Sequence, residues 1–174
     1  GLLELSGRPY VGCGVLASAV AMDKVWTKQR MEWAKIPIAD YWVLSTRQSL
    51  LDYQTIVDDI SAHHLPVVVK PARLGSSVGI TKVQDTAQLT AALQEAFCYD
   101  NKVIVEKALV VRDIECAVLE DAEGGSEALV SVPGEIVTRQ GFYSYYEKCV
   151  APDEAELHVP AALTVAQTEA VIQL

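Results

Sequence analysis

The sequence predicts an α+β fold. The predicted order is helix, strand, helix, hairpin, helix and then consecutive strands. Short separations between these strands favour antiparallel pairing, because a parallel pair needs a crossover connection of a dozen or more residues. The 174 residues, 51% of them hydrophobic and 21% charged, are typical of a globular chain with one domain or one and a half small ones.

The first part of the chain alternates helices with short strands. Residues 14–34 combine small and apolar residues at helical spacing without proline, which predicts one long helix with Lys24 near its middle. A short strand is predicted at 41–44 and an amphipathic helix at 50–64. Pro66 ends that helix and begins the next strand.

The second part is richer in strands. Residues 80–83 predict a strand, and Asp85 or Thr86 caps a helix that runs to residue 97. Turn-rich segments and β-branched residues then predict three strands, at 102–109, 114–121 and 128–138. Residues 139–156 show no period and predict a long loop, and residues 164–174 begin a helix.

Composition and charge exclude several classes of protein. The net charge of −9, with the acidic excess in the second half, argues against a nonspecific nucleic-acid surface. No apolar run approaches the ~18 residues of a membrane span, and no targeting signal is visible. The cysteines form no CxxC pair, and Cys98 and Cys116 lie in apolar runs typical of buried free thiols. We therefore expect a reducing, cytoplasmic setting.

One glycine motif has a weak claim to a nucleotide site. The segment GCGVLA matches the GxGxxA form of the dinucleotide fingerprint through Gly12, Gly14 and Ala17. That fingerprint requires a preceding strand, for which only the four residues RPYV are available. The segment therefore predicts a turn of small residues at the start of a helix.

A second glycine segment, VVVKPARLGSSVGI, joins a strand that carries Lys70 to a loop between Gly75 and Gly79. Consecutive backbone amides in such a loop can turn towards an anion, Ser76 and Ser77 add hydroxyl donors, and Lys70 adds a positive charge. A hairpin turn with an edge lysine fits the same residues equally well. Taken alone, the segment leaves phosphate binding and a plain turn both open.

A third segment, VIVEKAL, ends a strand with an acid and a base. Glu106 and Lys107, followed by the apolar Ala108 and Leu109, match a hinge whose backbone contacts the edge of an adenine ring. An ordinary salt-bridged strand end is the alternative. Occurring in this order along one chain, the three signals support one another.

Four blocks together carry a family resemblance: PYVGCGVLASAVAMDK, VVVKPARLGSSVGI, KVIVEKAL with IECAVL, and GFYSYYEK. In their order and spacing they resemble the D-alanine-D-alanine ligases, ATP-grasp enzymes of bacterial cell-wall synthesis. The resemblance implies an ATP-grasp fold with the first subdomain and the beginning of the second. Residues 1–23 then end an N-terminal domain, 24–109 form the central ATP-binding subdomain, and 110–174 start the C-terminal subdomain with a mobile loop at 139–156.

The resemblance also implies roles for single residues. Lys24 and Lys70 correspond to the phosphate-contacting lysines, and Glu106 to Leu109 to the adenine hinge. The loop that closes over the phosphates comprises Gly75, Ser76, Ser77, Val78 and Gly79. Ser76 also corresponds to a catalytic serine near the first D-alanine. Asp113 stands where the family usually has a ribose-binding glutamate, and Glu115 is a weaker substitute.

The predicted mobile loop departs from the family pattern at one residue. Lys148 matches a catalytic lysine that approaches the γ-phosphate, where a cation stabilises phosphoryl transfer. The next residue is commonly tyrosine, but here it is Cys149. A thiol is a much weaker hydrogen-bond donor than a phenol, so D-alanine-D-lactate and D-alanine-D-serine ligases stay open as alternatives, as does a noncatalytic nucleotide-binding module.

The resemblance implies a two-step reaction in which ATP phosphorylates one D-alanine and the amine of a second attacks the acylphosphate. It implies ATP and Mg²⁺ as cofactors, with the metal ligands expected after residue 174, and a homodimer of the full-length enzyme as a possible assembly. We therefore expect an internal fragment of a longer enzyme, inactive when isolated and marginally stable.

Overall fold

The computed structural model of the protein describes residues 1–120, 128–138 and 155–174. These residues divide into two compact units, Gly1–Leu109 and Val110–Leu174. All strand pairs in the described residues are antiparallel, which confirms the predicted α+β class. The assignment of 1–23, 24–109 and 110–174 to particular family domains stays a prediction.

The first unit is a four-stranded sheet with helices on both faces. The strand order is β1-β4-β2-β3, so the two central strands are not neighbours in sequence. Its elements are α1 (Leu2–Leu5), α2 (Val15–Ala21), α3 (Lys24–Trp33), β1 (Tyr41–Ser45), α4 (Leu50–His63), β2 (Val67–Pro71), β3 (Thr81–Val83), α5 (Thr86–Tyr99) and β4 (Lys102–Lys107).

The long helix predicted for residues 14–34 is wrong, because the chain forms two helices there. Asp23 has extended backbone and caps α3, and its carboxylate accepts from the amides of Val25 at 3.0 Å and Trp26 at 3.4 Å. A short acidic side chain competes with the helix backbone in this way and favours a new N-terminus. Lys24 is consequently the first residue of α3 and does not lie mid-helix.

The prediction for the GCGVLA segment is confirmed. Gly14 is the N-cap of α2, and no strand precedes it in residues 1–14, which the structure describes in full. The small residues therefore begin a helix without the strand that a dinucleotide fingerprint requires.

The core of the first unit lies on one face of the sheet, between the strands and helices α4 and α5. Alternate residues of a strand point to opposite faces, and β2 follows this rule, with Val67 and Val69 fully buried in the core. The other buried residues of this cluster are Leu44, Ile60, Val83, Leu89, Ala92, Leu93, Ala96, Val103 and Val105.

The opposite face of the sheet packs against α3. Val25 of that helix contacts Ile104 and Ala72, with Tyr41 and Val43 partly buried beside them. Lys70 in β2 and Glu106 in β4 alternate with the core residues of their strands, so both belong to this second face. The face covered by α3 is therefore the one that carries the charged side chains.

Cys98 is exposed, so its predicted burial is wrong. The buried side of α5 is formed by Leu89, Ala92, Leu93 and Ala96 at spacings of three and four, and Cys98 lies outside that stripe. Its thiol donates to the carbonyl of Gln94 at 3.3 Å. Cys116 is half-buried, and both are free thiols.

The described residues of the second unit form short antiparallel strands and one helix. Sheet order is β5-β8-β9 in one sheet and β6-β7 in the other. The elements are β5 (Asp113–Glu115), β6 (Val118–Leu119), β7 (Leu129–Val130), β8 (Gly134–Thr138), β9 (Ala155–His158) and α6 (Val165–Gln173).

Two predicted strands of this unit are each divided in two. The strand predicted at 114–121 changes partner at Ala117, whose amide donates to the Ser131 hydroxyl at 2.9 Å, so β5 and β6 enter different sheets. The strand predicted at 128–138 is interrupted by Pro133, which has no amide hydrogen for the ladder.

The predicted loop at 139–156 is too long at its end, because residues 155 and 156 belong to β9. Their strand pairs with β8, which supplies the hydrogen bonds that a free loop would lack. Residues 139–154 lie outside the described residues. Among the helices that the structure describes, none is long and apolar enough to cross a membrane.

Candidate functional site

Lys70 and Glu106 form an ion pair on the α3 face of the first unit's sheet. The register pairs Lys70 with Ile104 and Val68 with Glu106, so the two charged residues are diagonal neighbours on adjacent strands. The second oxygen of the same carboxylate lies 3.0 Å from Nζ of Lys28, and the Lys28 and Glu106 side chains are only 12% and 13% exposed. One nearly buried carboxylate thus serves two ammonium groups.

The pKa of Glu106 reflects this arrangement. Burial alone would raise the pKa, but the charge of Lys70 and the hydrogen bonds from Lys70 and Lys28 outweigh burial and hold the pKa below its ordinary value. Glu106 is therefore ionised at neutral pH.

Lys24 has a different environment. Its ammonium group donates to the carbonyl oxygens of Pro71 at 3.0 Å and Leu74 at 2.5 Å, at the point where β2 enters the glycine segment. Within the part of the chain that the structure describes, no carboxylate lies within salt-bridge distance of it. Burial first, and then the positive charge of Lys70, lower its pKa.

The acids near these lysines are otherwise engaged. Asp23 pairs with Lys102, and Asp100 pairs with Arg73. Of the described residues, Glu106 is the only acid in direct contact with any of the three lysines at positions 24, 28 and 70, while Asp23 and Asp100 act on Lys24 from a longer distance. An anion bound beside Lys24 and Lys70 would reduce this excess charge, and the site is chemically suited to one.

The glycine segment adds a backbone conformation suited to an anion. Ser76 and Ser77 have φ of 49° and 60°, which is the left-handed region that residues other than glycine seldom adopt. Consecutive amides near such residues can converge on one concave site, and the Ser76 amide donates to no acceptor among the described residues. The Val78 amide closes the turn by donating to the Gly75 carbonyl at 3.1 Å.

Gly79 ends this turn where a side chain cannot fit. Its φ is 66°, and a Cβ atom there would lie 2.7 Å from Cδ2 of Tyr99 and 2.9 Å from Cγ of Pro71. Gly75, by contrast, has nothing within 4 Å of the corresponding position. The two glycines therefore differ in kind, although they bracket the same loop.

Arg73, which lies between β2 and the loop from Gly75 to Gly79, is fixed to the end of α5. The amide of Arg73 donates to the Asp100 carboxylate at 2.9 Å, and Nε of the same arginine donates to it at 3.1 Å. The Lys102 amide also donates to this carboxylate, at 3.1 Å. A nearly buried acid therefore holds the loop's first residues through both main chain and side chain.

At the end of β4, two of the predicted hinge amides already have partners. The Lys107 amide donates to the Asp40 carbonyl at 2.9 Å, and the Ala108 amide donates to the Pro66 carbonyl at 3.0 Å. The Leu109 amide has no acceptor in the described part of the chain, and the residue is 54% exposed. Leu109 is thus the hinge residue whose amide can donate to a ligand.

The remaining predicted site residues are Asp113 and Lys148. Asp113 is the exposed first residue of β5, in the second unit. Lys148 and the adjacent Cys149 lie outside the described residues. The roles of all three stay predictions.

In the second unit, Arg112 holds Glu135 by two parallel hydrogen bonds of 2.6 Å, from Nε and Nη2. The hydrogen bond from Arg112 lowers the pKa of Glu135, and the same contact raises that of Arg112. Nη2 also donates to the Ala162 carbonyl at 3.0 Å, which ties β8 to the segment before α6. Two parallel bonds of this kind fix the orientation of both groups.

Sequence reasoning missed Lys28, Arg73 and Asp100. Lys28 follows Lys24 by four residues, and helical residues at that spacing share a face, so the helix predicted over 14–34 already contained the signal for Lys28. The contact between Arg73 and Asp100 joins positions 27 residues apart, and no local pattern signals it.

Comparison with known proteins places the chain among ligases. The family model described as the D-ala D-ala ligase C-terminus matches residues 31–174. A D-alanine-D-alanine ligase of Caldicellulosiruptor bescii is 45% identical over all of this chain and 47% of its own length. Another, from a Methylobacterium species, is 46% identical over 97% of the chain and 44% of its own length.

Solved structures agree. The crystal structure of D-alanyl-alanine synthetase A from Vibrio cholerae matches with a TM-score of 0.80 and 34% identity, over 98% of this chain and 50% of that one. The VanG D-Ala:D-Ser ligase from Enterococcus faecalis matches with a TM-score of 0.80 and 31% identity, over 99% and 48%. The chain spans about half the length of these relatives.

Proposed function

The chain belongs to the D-alanine-D-alanine ligase family, with the ATP-grasp fold of that family, and we propose that it forms the ATP-binding part of an enzyme that joins two D-alanine molecules. In this proposal the product, D-alanyl-D-alanine, serves peptidoglycan synthesis in the cytoplasm. The substrates and the reaction belong to the complete protein, because the chain spans about half of its relatives.

One observation carries the proposal. Lys24 and Lys70 bring two positive charges together, yet only Lys70 has a carboxylate partner among the described residues. The pKa of Lys24 is lowered by burial and by Lys70, so charging Lys24 costs free energy that a bound polyphosphate would recover. The left-handed backbone at Ser76 and Ser77 shapes the turn, and the Ser76 amide can donate to the same anion.

The described residues divide the binding of ATP between them. Lys24, Lys70 and the loop from Gly75 to Gly79, including Val78, would hold the phosphates, and Glu106 to Leu109 would meet the adenine, where the Leu109 amide is available to donate. We assign the ribose to Asp113, and catalytic contacts to Ser76 and Lys148.

The chemistry needs positioning more than reactive side chains. A carboxylate oxygen of one D-alanine attacks the γ-phosphorus and ADP leaves; the amine of the second D-alanine then attacks the acylphosphate carbon, the nitrogen loses a proton and phosphate leaves. Fixed positive charge stabilises the negative charge that develops in such a transfer, and Lys24 and Lys70 supply it. The hydrogen bonds of Arg73 to Asp100 and of Lys24 to the Pro71 carbonyl keep that charge in place.

Mg²⁺ accompanies ATP in ligases of this kind. Among the described residues, no group of three or more His, Cys, Asp or Glu side chains is arranged to hold a metal ion. No residue of the described chain is therefore assigned to Mg²⁺.

A D-alanine-D-serine ligase is the second candidate. The observation in its favour is the similarity to the VanG D-Ala:D-Ser ligase at a TM-score of 0.80. Both reactions use ATP and an attacking amine, and they differ only in whether that amine belongs to D-alanine or to D-serine. The ATP-binding residues of the first unit therefore support both activities equally.

The test uses the complete protein with ATP, Mg²⁺ and D-alanine, and measures ADP release together with the dipeptide formed. D-Serine and D-lactate compete in parallel reactions. Formation of D-alanyl-D-alanine supports the first candidate, and preferential D-alanyl-D-serine formation supports the second. ATP binding without any ligation would contradict both and leave a noncatalytic nucleotide-binding module.

A further inference from the structure

Lys28 lies one turn beyond Lys24 on α3, and its ammonium group contacts three other described residues. Its Nζ lies 3.0 Å from Oε1 of Glu106 and 3.3 Å from the carbonyl oxygen of Ala39. It also lies 5.2 Å from the centroid of the Tyr41 ring, within range of a cation-π interaction. With its side chain 12% exposed, Lys28 is fixed in place on the protein side of the charge cluster.

The two lysines that share Glu106 differ in exposure and in their other partners. Lys70 contacts Oε2 of the carboxylate, its side chain is 23% exposed, and its ammonium group donates no other hydrogen bond within the described residues. Lys28 contacts Oε1 and is anchored by Ala39 and Tyr41 as well. Lys70 is therefore the lysine that can change partner.

The free-energy cost of moving Lys70 from Glu106 to a phosphate depends on Lys28. Removing one member of a poorly solvated ion pair leaves an uncompensated charge, which is strongly unfavourable. With Lys28 in place, Glu106 keeps one ammonium partner when Lys70 turns to a phosphate. Without Lys28, the same movement would strand a carboxylate that is only 13% exposed.

We propose that Lys28 is a positioning residue that holds Glu106 and so releases Lys70 to bind the phosphates of the nucleotide. This inference rests on the proposed function, because it requires a polyphosphate ligand at Lys70. Lys28 itself does not touch the nucleotide in this account. Lys28 keeps the Glu106 carboxylate paired with a cation while Lys70 binds the phosphates.

The experiment measures binding of ATP, inorganic tripolyphosphate and adenosine to the complete protein. The variants are Lys28→Met, Lys28→Arg and the control Lys82→Met, which removes an exposed lysine of β3 outside the cluster. Lys28→Met is expected to weaken ATP and tripolyphosphate about tenfold, the size of one charge-assisted hydrogen bond, and to leave adenosine unchanged. Lys28→Arg keeps a cation that can pair with Glu106 and should restore most of the loss.

A second background separates positioning from simple electrostatic attraction. In Glu106→Gln there is no carboxylate for Lys70 to abandon, so adding Lys28→Met should leave tripolyphosphate affinity nearly unchanged. If Lys28 acted only through its positive charge, the addition would weaken binding in both backgrounds. Thermal unfolding midpoints of all variants identify any that fail to fold.

The outcomes are distinct. If the wild type binds neither ATP nor tripolyphosphate, the proposed function itself is wrong. If the wild type binds both and Lys28→Met binds them equally well, the role of Lys28 is wrong. An equal loss of adenosine and tripolyphosphate, or an undiminished effect in the Glu106→Gln background, also overturns it.

Discussion

Arg73 and Asp100 connect the first residues of the glycine segment to the end of α5 through the main chain and the side chain of the same arginine. The amide and Nε of Arg73 donate to one carboxylate oxygen at 2.9 and 3.1 Å, and Nη2 contacts the other. These contacts fix the backbone just before the loop from Gly75 to Gly79, the loop that we propose binds the phosphates.

Asp100→Asn should lower the free energy of unfolding by about 1–2 kcal/mol, because the side chain loses its negative charge and one of the two oxygens that accept hydrogen bonds from Arg73 and the Lys102 amide becomes an NH2 donor. Urea unfolding at neutral pH measures the change. Asp58→Asn is the control, since Asp58 is an exposed acid of α4 whose partner is a neutral glutamine. A loss equal to that of the control would contradict the structural role of Asp100.

Lowering the pH should reveal how much the contact between Asp100 and Arg73 contributes to stability. Burial would raise the pKa of Asp100, but the hydrogen bonds from Arg73 and Lys102 lower it below the ordinary 3.8. An acid with a lowered folded-state pKa stabilises the protein above its unfolded pKa, and that contribution disappears as the pH falls through the folded pKa. The wild type should therefore lose stability below about pH 4 more steeply than Asp100→Asn does. Parallel acid limbs would contradict this.

Gly79→Ala should destabilise the protein by at least about 1 kcal/mol, because alanine is strained at positive φ and its methyl group would meet Tyr99 and Pro71. Gly75→Ala is the matched control, with open space around the corresponding position. Thermal and urea unfolding of the two variants measure the difference. Equal stabilities would show that the close approach to Tyr99 does not matter.

Asp23→Ala should cost about 1–2 kcal/mol, because α3 loses its N-cap and Lys102 loses its partner. Asp23→Asn keeps a capping oxygen and should recover part of that loss. The same variants should affect ATP affinity in the same order, since Lys24 is the first residue of the helix that Asp23 caps. Equal effects of alanine and asparagine would argue against the capping role.

Lys24→Arg should alter the pH dependence of ATP binding. Burial and the charge of Lys70 lower the pKa of Lys24 below the ordinary 10.5, so the wild-type site loses a positive charge as the pH rises through that lowered value. ATP affinity should fall over the same alkaline range. Arginine stays charged there, and the fall should be smaller in the variant. Titrations of ATP from neutral to alkaline pH give the result, and an unchanged profile would show that Lys24 does not control it.

Local patterns in the sequence predict most of the first unit. The β-branched runs and N-caps indicate the strands and helices well, and Asp85 indeed caps α5. The break before α3 was missed because residues 14–34 lack proline, and a capping aspartate among helix formers is a weaker signal.

The candidate site was predictable only in part. Motifs identify Lys70 and Glu106 separately. Their ion pair depends on the register between β2 and β4, which brings together two residues that are 36 positions apart in the sequence. The division of the strands predicted after residue 113 depends on which sheet each segment joins. These features arise from pairing between distant segments, and periodicity does not report it.

The strand order of the first unit has a consequence for how the site is made during synthesis. Strand β4 lies between β1 and β2, which do not pair with each other, and it is the last of the four strands to leave the ribosome. Until β4 has emerged, β1 has no neighbouring strand and Lys70 lacks its ion-pair partner Glu106. Assembly that depends on such distant pairing is slow compared with helix formation, so nascent chains should expose Lys70 and the unpaired edge of β1 before they can bind a nucleotide.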